Sequence, residues 1–118
     1  MMMALKYKDI LMATEFQKSV WQAIGLIPKG KVTTYSEIAK YLNTKATQAV
    51  GTAVGKNPYA PKVPCHRVVK SSGEIGEYSA PGGVNSKIDL LKKEGVKVVN
   101  NRVKNFKNKL YTYENNTK

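Results

Sequence analysis

The stretch that decides the fold is residues 36–55, which reads SEIAKYLNTKATQAVGTAVG. Its pattern predicts a short helix from Ser36 to Tyr41 or Leu42 and another from Thr47 to Gly55. Between them, residues 43–45 (Asn-Thr-Lys) make a tight polar turn, and Asn57-Pro58 stops the second helix. Two short helices joined by so short a turn have the outline of a helix-turn-helix.

The second of these helices is rich in small residues, including Gly51, Ala53 and Gly55. Each glycine costs roughly 1 kcal/mol in a helix relative to alanine. Small side chains allow a helix to approach another backbone closely. That backbone could belong to a neighbouring helix or to nucleic acid, and the composition alone favours neither.

On the N-terminal side, a longer helix is predicted from Thr14 to Leu26, with Thr14 as its cap and Pro28 and Gly30 ending it. Residues 31–33 form a short extended segment. The apolar residues that recur at helical spacing are Phe16, Val20, Trp21, Ile24 and Ile27.

On the C-terminal side, the pattern alternates turns with short extended segments and one further helix. That helix is predicted from Asn85 to Lys93, with Gly95 in the usual position after its end. The other predicted features are a turn at 71–73, extended segments at 75–78, 96–99 and 110–113, a glycine-rich loop at 80–83, and a basic loop from Arg102 to Lys109.

Composition limits the class of protein. The 118 residues suffice for one small domain, and we expect a soluble, intracellular, cytoplasmic monomer because neither a signal peptide nor a membrane span is recognisable. The formal net charge is +12, with 20 Lys and Arg against 8 Asp and Glu. Such a charge favours a polyanionic partner over a merely solvated surface. A membrane surface is less favoured, since no basic amphipathic helix stands out.

The only cysteine and the only histidine are adjacent, in the segment VPCHRVV at residues 63–69. A thiolate is a strong nucleophile when nearby positive charge lowers its pKa, and Cys65 has His66 and Arg67 beside it. The alternative, a buried structural cysteine on a Val-rich strand, stays open on the residues alone. Neighbours on an extended strand point to opposite faces, so Cys65 and His66 need either a bend in the backbone or a bridging water to exchange a proton.

A single cysteine excludes an internal disulfide, a Cys-x-x-Cys redox pair and a multi-cysteine zinc site. A cysteine protease is also disfavoured, because it needs a histidine brought from far along the chain. No general acid is visible that would release a group from the sulfur after attack. The pattern therefore favours a thiolate that accepts a group once.

Pro64-Cys65-His66-Arg67-Val68-Val69 resembles the active-site signature of the O6-alkylguanine-DNA alkyltransferases (methylated-DNA–protein cysteine methyltransferases). The resemblance covers about residues 13–100. Its further motifs, in chain order, are Thr14-Glu15-Phe16-Gln17, Val20-Trp21, Ile27-Pro28-Lys29-Gly30, Thr34-Tyr35, Ala49-Val50-Gly51, Asn57-Pro58, Leu90-Leu91 and Glu94-Gly95.

The resemblance implies a fold that is mainly α with short β segments: a single small winged helix-turn-helix-like DNA-binding domain over residues 13–113. A short N-terminal lead (residues 1–12) precedes it and a disordered tail (residues 114–118) follows. The partner implied is double-stranded DNA containing O6-alkylguanine, bound through the minor groove with the damaged base rotated out of the stack. No metal or cofactor is implied.

The resemblance also implies the chemistry. Cys65 takes the alkyl group from guanine O6 in a single turnover, and His66 draws off the thiol proton through a water and Glu94. Tyr35 donates to the guanine ring, and Asn57 holds the bend before the active-site segment. The substrate pocket is assigned to Val54, Arg67, Tyr78 and Ser79, and DNA contact to Thr47, Gln48, Ala49, Gly51 and Thr52, with Ala53 and Gly55 allowing close approach.

Without the resemblance, several of these residues have ordinary structural explanations. Glu94 could be a charge in the last turn of a helix, Tyr35 a half-buried core aromatic and Asn57 a helix stop. Tyr78 and Ser79 could be plain loop residues. The resemblance raises all five above these explanations, together with Cys65.

The chain departs from the family in three respects. Gln48 stands where the family usually has the arginine that fills the gap left by the flipped base. Few residues precede the match, whereas family members usually carry an N-terminal domain. The loop at residues 79–87 is about two residues longer than usual. The alternative is therefore an alkyltransferase-like sensor, which binds the lesion without repair, recruits other proteins and typically has Trp in place of the cysteine. A bare winged-helix DNA-binding protein is a third and more distant hypothesis.

Overall fold

The structure, a computed structural model, describes residues 14–113. The predicted N-terminal lead and C-terminal tail lie outside the described residues. Helix α1 spans Glu15–Gly25 and begins there because Thr14 forms a capping box with Gln17. Each of these residues accepts a 3.1 Å hydrogen bond from the backbone N–H of the other. The helix ends one residue before the predicted Leu26, which is its C-cap.

The helix-turn-helix predicted from residues 36–55 is confirmed. Helix α2 spans Tyr35–Tyr41, and the Thr34 hydroxyl caps it by accepting a 3.0 Å hydrogen bond from the N–H of Glu37. Asn43 makes the turn in the left-handed region, with φ of 58°. Helix α3 spans Thr47–Gly55.

Helix α3 packs its apolar face on α1. The Trp21 indole N–H donates a 2.8 Å hydrogen bond to the carbonyl of Ala53, and both residues are buried. The main core cluster gathers around this contact. Its fully buried members include Val20, Ile24, Ile38, Val50 and Val68.

A short 3-10 helix, Cys65–Arg67, leads into strand β2, Val68–Val69. Strand β2 pairs in parallel with β1, Thr33–Thr34, with Thr33 opposite Val68. The extended backbone considered for the Cys-His pair is therefore wrong, and the bend is the alternative that the chain adopts. Because of it, Cys65 and His66 are both buried although they are neighbours.

Helix α4 spans Gly83–Lys93 and begins two residues before the predicted Asn85. Gly82 is its N-cap, with φ of 91°, and a Cβ there would lie 2.6 Å from the Cβ of Ser86. The helix ends at Glu94, and Gly95 follows with φ of 87°, as predicted for the residue after a helix end.

The predicted basic loop, residues 102–109, is only partly a loop. Strand β4, Arg102–Val103, pairs antiparallel with β3, Val98–Val99, and a helical turn, α5, spans Phe106–Lys109. Asn100 and Asn101 join the strands with φ of 51° and 64°, as a two-residue type I′ hairpin requires. This hairpin and α4 enclose a second, smaller apolar cluster of Val32, Val69, Ile75, Leu91, Val96 and Val103.

The last described residues close back over the start of the domain, and we name residues 109–113 the C-terminal clasp. The N–H of Val32 donates to the carbonyl of Lys109 at 2.9 Å, and the N–H of Tyr111 donates to the carbonyl of Val32 at 2.7 Å. The Tyr113 hydroxyl donates to the carbonyl of Ala23 at 2.7 Å. Within residues 14–113, no helix combines the length and apolar character that crossing a membrane requires.

Candidate active site

A cavity of about 680 Å³ lies between α3 and the segment that leads to α4, with Cys65 among its lining residues. Six of the lining residues come from α3, and four are consecutive in the segment 76–79. The residues that line the cavity are Tyr35, Thr47, Gln48, Gly51, Thr52, Val54, Gly55, Cys65, Lys70, Gly76, Glu77, Tyr78 and Ser79. Segments that are distant in sequence therefore meet around Cys65, the only cysteine in the sequence.

Most of the residues predicted for DNA and substrate contact lie at this cavity. The predicted DNA-binding residues Thr47, Gln48, Gly51 and Thr52 line it, whereas Ala49 is exposed on α3 and does not. The predicted pocket residues Val54, Tyr78 and Ser79 also line it, and so does the predicted proton donor Tyr35.

The small residues of α3 divide between its two faces. Ala53 is buried beneath Trp21, so its predicted role in approach to DNA is wrong and it serves helix packing instead. Gly51 and Gly55 face the cavity. A Cβ at Gly51 would meet the Tyr35 ring at 3.9 Å, and one at Gly55 would meet the Ser79 hydroxyl at 3.4 Å. Close helix packing therefore explains Ala53, while Gly51 and Gly55 leave space at the cavity.

Cys65 is 6% exposed and lies where two cavities meet. The second cavity, of about 300 Å³, is lined by residues 54–58 and 79–81 with Ala60 and Cys65. Burial raises the pKa of the Cys65 thiol, while the Asn57 side chain and the charge of Lys87 lower it in part. The net shift is upward, so the resting thiol is protonated at neutral pH.

Asn57 fixes the chain between α3 and the thiol. Its side-chain N–H donates to the carbonyl of Val63 at 2.8 Å, and its side-chain oxygen accepts from the N–H of Tyr59 at 3.0 Å. One side chain thus bridges the loop that connects the two elements. Asn57 therefore lies in the loop where the bend was predicted, and it contacts both sides of that loop.

His66, which is buried, and the half-buried Arg67 and Glu94 form a cluster of charged and polar groups next to the thiol's segment. The His66 Nε2 and Glu94 Oε2 atoms are 3.0 Å apart, and Arg67 donates to both Glu94 oxygens at 2.9 and 2.7 Å. Burial raises the pKa of Glu94, but the hydrogen bonds from Arg67 and His66 outweigh it and lower the pKa overall. The pKa of His66 is lowered by burial, with Glu94 opposing. At neutral pH the cluster therefore holds an ionised Glu94 and a neutral His66.

The protonation state fixes the tautomer of His66. An ionised carboxylate only accepts hydrogen bonds, so Nε2 carries the imidazole proton and Nδ1 is the acceptor. Among the described residues, His66 Nδ1 is the buried side-chain nitrogen or oxygen atom that has no hydrogen-bond partner. The buried base thus keeps one lone pair available.

Arg67 does not lie where the sequence prediction placed it. Its guanidinium binds Glu94 and also donates to the carbonyl of Ile27 at 2.6 Å, and Arg67 is not among the residues that line either cavity. The substrate-binding assignment of Arg67 is therefore corrected. The bend of the 3-10 helix directs this side chain toward α1 and Glu94, where it neutralises the carboxylate.

The two tyrosines of the cavity stay protonated over a wide pH range. Burial, and then the nearby Cys65, raise the pKa of Tyr78 to about 12. Burial also raises the pKa of Tyr35, with further contributions from Cys65 and Glu77. Both phenols are therefore available as hydrogen-bond donors at neutral pH.

The sequence reasoning missed Lys87, which is 1% exposed and donates to three backbone carbonyls. The signal was present in the helical spacing, since Lys87 lies four residues before the buried Leu91 and so shares its face. A lysine at a core position of an amphipathic helix needs internal partners.

In residues 14–113, no three His, Cys, Asp or Glu side chains cluster as metal ligands.

Comparison with known proteins agrees with this geometry. Residues 15–96 match the family model described as "6-O-methylguanine DNA methyltransferase, DNA binding domain". A methylated-DNA–protein-cysteine methyltransferase of Methanosarcina acetivorans is 50% identical over 95 residues, which are 77% of this chain and 60% of that protein. The chain thus spans about three fifths of that relative.

Solved structures show the same relationship. The crystal structure of Mycobacterium tuberculosis OGT in complex with DNA superposes with a TM-score of 0.66 at 46% identity, over 70% of this chain and 50% of that one. Atl1 of S. pombe, solved with damaged DNA containing O6-carboxymethylguanine, gives a TM-score of 0.73 at 33% identity, over 86% of this chain and 99% of that one. The chain belongs to the O6-methylguanine-DNA methyltransferase family, whose DNA-binding domain model it matches.

Proposed function

We propose that this protein repairs DNA by moving the alkyl group of O6-alkylguanine directly to Cys65, once per molecule. The observation that carries the proposal is the placement of the thiol in a cavity walled by the second helix of a helix-turn-helix. A base rotated out of a duplex bound on α3 would enter this cavity. By the same proposal, residues 13–113 correspond to the family's C-terminal active-site domain, acting as a monomer on duplex DNA inside the cell.

The proposed reaction is a displacement at the alkyl carbon. Cys65 Sγ attacks the alkyl carbon, an S–C bond forms, and the C–O6 bond breaks with its electron pair leaving on the guanine. The Tyr35 hydroxyl donates a hydrogen bond to the ring as this negative charge develops. Overall, the thiol proton is replaced by the alkyl group and a proton is returned to guanine. No acceptor regenerates the thiol, so the stoichiometry is one alkyl group per protein.

His66 is the proposed base for the thiol proton. Its Nδ1 is the acceptor, because Nε2–H is held by Glu94. A water between Cys65 and Nδ1 would carry the proton, and the ionised Glu94 would stabilise the imidazolium that results. Since the resting thiol is protonated, this transfer must accompany the attack.

The proposed DNA contacts follow from the cavity rim. Thr47, Gln48, Gly51 and Thr52 line the cavity from α3, and Gly51 leaves room for a backbone to come near. Gln48 would occupy the gap left by the base and hydrogen-bond to its orphaned partner. The net charge of +12 supplies the attraction to phosphate.

The second candidate is a sensor that binds the lesion without repairing it. The observation that favours it is the match to an Atl1 chain over 99% of that chain's length, in a structure containing O6-carboxymethylguanine DNA. The uncharged Gln48 and the raised pKa of Cys65 also suit binding better than rapid transfer. The available thiol in the cavity favours the repair function over this candidate.

The experiment that tests the proposal is intact-protein mass spectrometry after incubation with a duplex containing one O6-methylguanine. We expect a gain of one methyl group, mapped to Cys65 and absent from Cys65→Ser, while that variant still binds the lesion. An unchanged mass together with lesion-specific binding would establish the sensor. An unchanged mass without any preference for the lesion would indicate a general DNA-binding protein.

A further inference from the structure

Lys87 is a buried cation with no role in the chemistry described above. Its ammonium donates to the carbonyls of Val68 at 2.7 Å, Ile75 at 2.6 Å and Glu77 at 3.0 Å. Three acceptors match the three N–H bonds of an ammonium, so the group is fully satisfied. Burying a charge is costly even when it is hydrogen-bonded, so a lysine at this position lowers the stability of the fold unless its contacts offset that cost.

The three carbonyls belong to the two segments that must be held together around the thiol. Val68 follows Cys65 by three residues and begins β2. Ile75 and Glu77 flank Gly76, and residues 76–79 form one wall of the cavity. One side chain from α4 thus ties the nucleophile's segment to the wall that a substrate would touch.

Lys87 also lies within the electrostatic field of the thiol. The titratable groups that face the pair are Tyr35 from α2, His66 beside the thiol, and Glu77 and Tyr78 from the cavity wall. Burial lowers the pKa of Lys87 to about 8, with Cys65 and Glu77 opposing the shift. Lys87 is therefore largely charged at neutral pH, where it favours the thiolate of Cys65.

We propose that Lys87 is a positioning residue that clamps the cavity wall, residues 76–79, to the Cys65 segment and holds a positive charge where the thiolate forms. The clamp's effect on alkyl transfer rests on the proposed function. The effect of Lys87 on the thiol does not rest on the proposed function, because a small reagent measures thiolate reactivity without DNA. The proposal for Lys87 and the proposed function can therefore be refuted independently.

The decisive measurement is the rate at which iodoacetamide alkylates Cys65, the only cysteine, as a function of pH. In the unmodified protein, we expect the rate to rise with pH as the thiolate forms, and to exceed at neutral pH the rate of a folded variant that lacks the charge of Lys87. Equal rates at neutral pH in the unmodified protein and in folded Lys87→Met would overturn the charge part of the proposal.

Variants separate the charge from the clamp. Lys87→Met should react about tenfold more slowly at neutral pH, because losing the charge raises the thiol pKa and one pKa unit is a tenfold change in thiolate. Lys87→Arg, which stays charged throughout, should restore the neutral-pH rate. Lys93→Met, on an exposed position of the same helix, is the control and should leave the profile unchanged.

Lys87→Gln tests the clamp, because its amide can bind two of the three carbonyls without a charge. We expect its iodoacetamide profile to resemble that of Lys87→Met, while its affinity for lesion-containing DNA stays closer to that of the unmodified protein. Urea unfolding establishes which variants are folded before comparison. Equal lesion affinity in folded Lys87→Met and Lys93→Met would overturn the clamp, and failure of methyl transfer in the unmodified protein would instead overturn the proposed function.

Discussion

Under the proposed function, Gln48 is the residue that fills the gap left by the flipped base. It lies exposed at the cavity rim on α3, and its carbonyl accepts a 3.1 Å hydrogen bond from the Thr52 hydroxyl. The amide has hydrogen-bonding capacity and no charge. Replacing it changes the interaction with an opened duplex while leaving the thiol's surroundings intact.

Gln48→Arg should speed alkyl transfer from duplex DNA by roughly tenfold, because about 1.4 kcal/mol gained in the opened state lowers the barrier by that factor. Transfer from the free O6-alkylguanine base should be nearly unchanged, since no duplex has to be opened. The measurement is the single-turnover rate with each substrate. Equal acceleration of both would contradict the assignment of Gln48 to the gap.

The cluster of His66 and Glu94 predicts a loss of stability in acid. Both folded-state pKa values lie below the ordinary values of 6.5 and 4.5, so unfolding takes up protons as the pH falls. The stability from His66 is present above pH 6.5 and is lost as the pH falls through its folded pKa, and that from Glu94 follows below pH 4.5. Urea unfolding across this range measures both.

His66→Gln is the informative variant for this prediction. In this variant, the free energy of unfolding should change less with pH between pH 6.5 and about 5, where His66 takes up a proton on unfolding and Glu94 does not. The loss of stability at lower pH, which comes from Glu94, should remain. A variant that keeps the full slope in the upper range would show that another group is responsible.

At the residue scale, the sequence located Cys65, most of the residues that line the cavity, and the pair His66 and Glu94, but not the contacts of Arg67 and Lys87. Cys65, Tyr35 and Tyr78 could be predicted because the resemblance to the alkyltransferase family assigns each of them a role. Arg67 could not be placed, since its direction depends on a three-residue 3-10 bend. Lys87 was missed because its three partners are backbone carbonyls, which every residue has and no pattern marks.

At the scale of elements, α3 has one face for the core and one for the cavity. Val50, Ala53 and Val54 are buried, while Gly51 and Gly55 line the cavity. Helix stability would favour alanine at the glycine positions. Their presence therefore fits a requirement for space outside the protein's own core.

Gly51→Ala should stabilise the fold by about 0.5–1 kcal/mol and weaken DNA binding. A Cβ there meets only the Tyr35 ring at an ordinary 3.9 Å, so the folded protein has room, but the methyl group projects into the cavity. Urea unfolding and fluorescence anisotropy with a labelled duplex measure the two effects. Gly25→Ala on α1, where nothing lies within 4 Å, is the control and should stabilise without altering binding.

An unchanged DNA affinity in folded Gly51→Ala would show that α3 does not approach the duplex at this position.

Helices α1 to α4 could be predicted to within two residues, whereas α5 was predicted as loop and the strands could not be defined. Helix α1 has a capping box and a repeated apolar face, and α3 has a stop at Asn57-Pro58. Strands β1 to β4 have two residues each, which is too short for any alternation to appear. Their pairing depends on partners such as Thr33 and Val68, 35 residues apart, which no local pattern connects.

At the scale of the whole molecule, the proposed function requires the net charge of +12 to attract the phosphates of DNA. The affinity for a lesion duplex should fall by about a thousandfold between about 50 and about 200 mM salt if roughly six phosphates are contacted. Anisotropy titrations at several salt concentrations give the slope. Transfer from the free base, which has no phosphate, is the control, and a flat response of the duplex would refute the electrostatic account.

The C-terminal clasp has a consequence for how the protein is made. A ribosome delivers α1 well before residues 109–113, so the carbonyl of Ala23 and the backbone of Val32 acquire these partners late. The nascent domain therefore has an open core until the clasp arrives, exposed to chaperones and proteases. Only when Tyr113 has left the exit tunnel does the domain become a protected product.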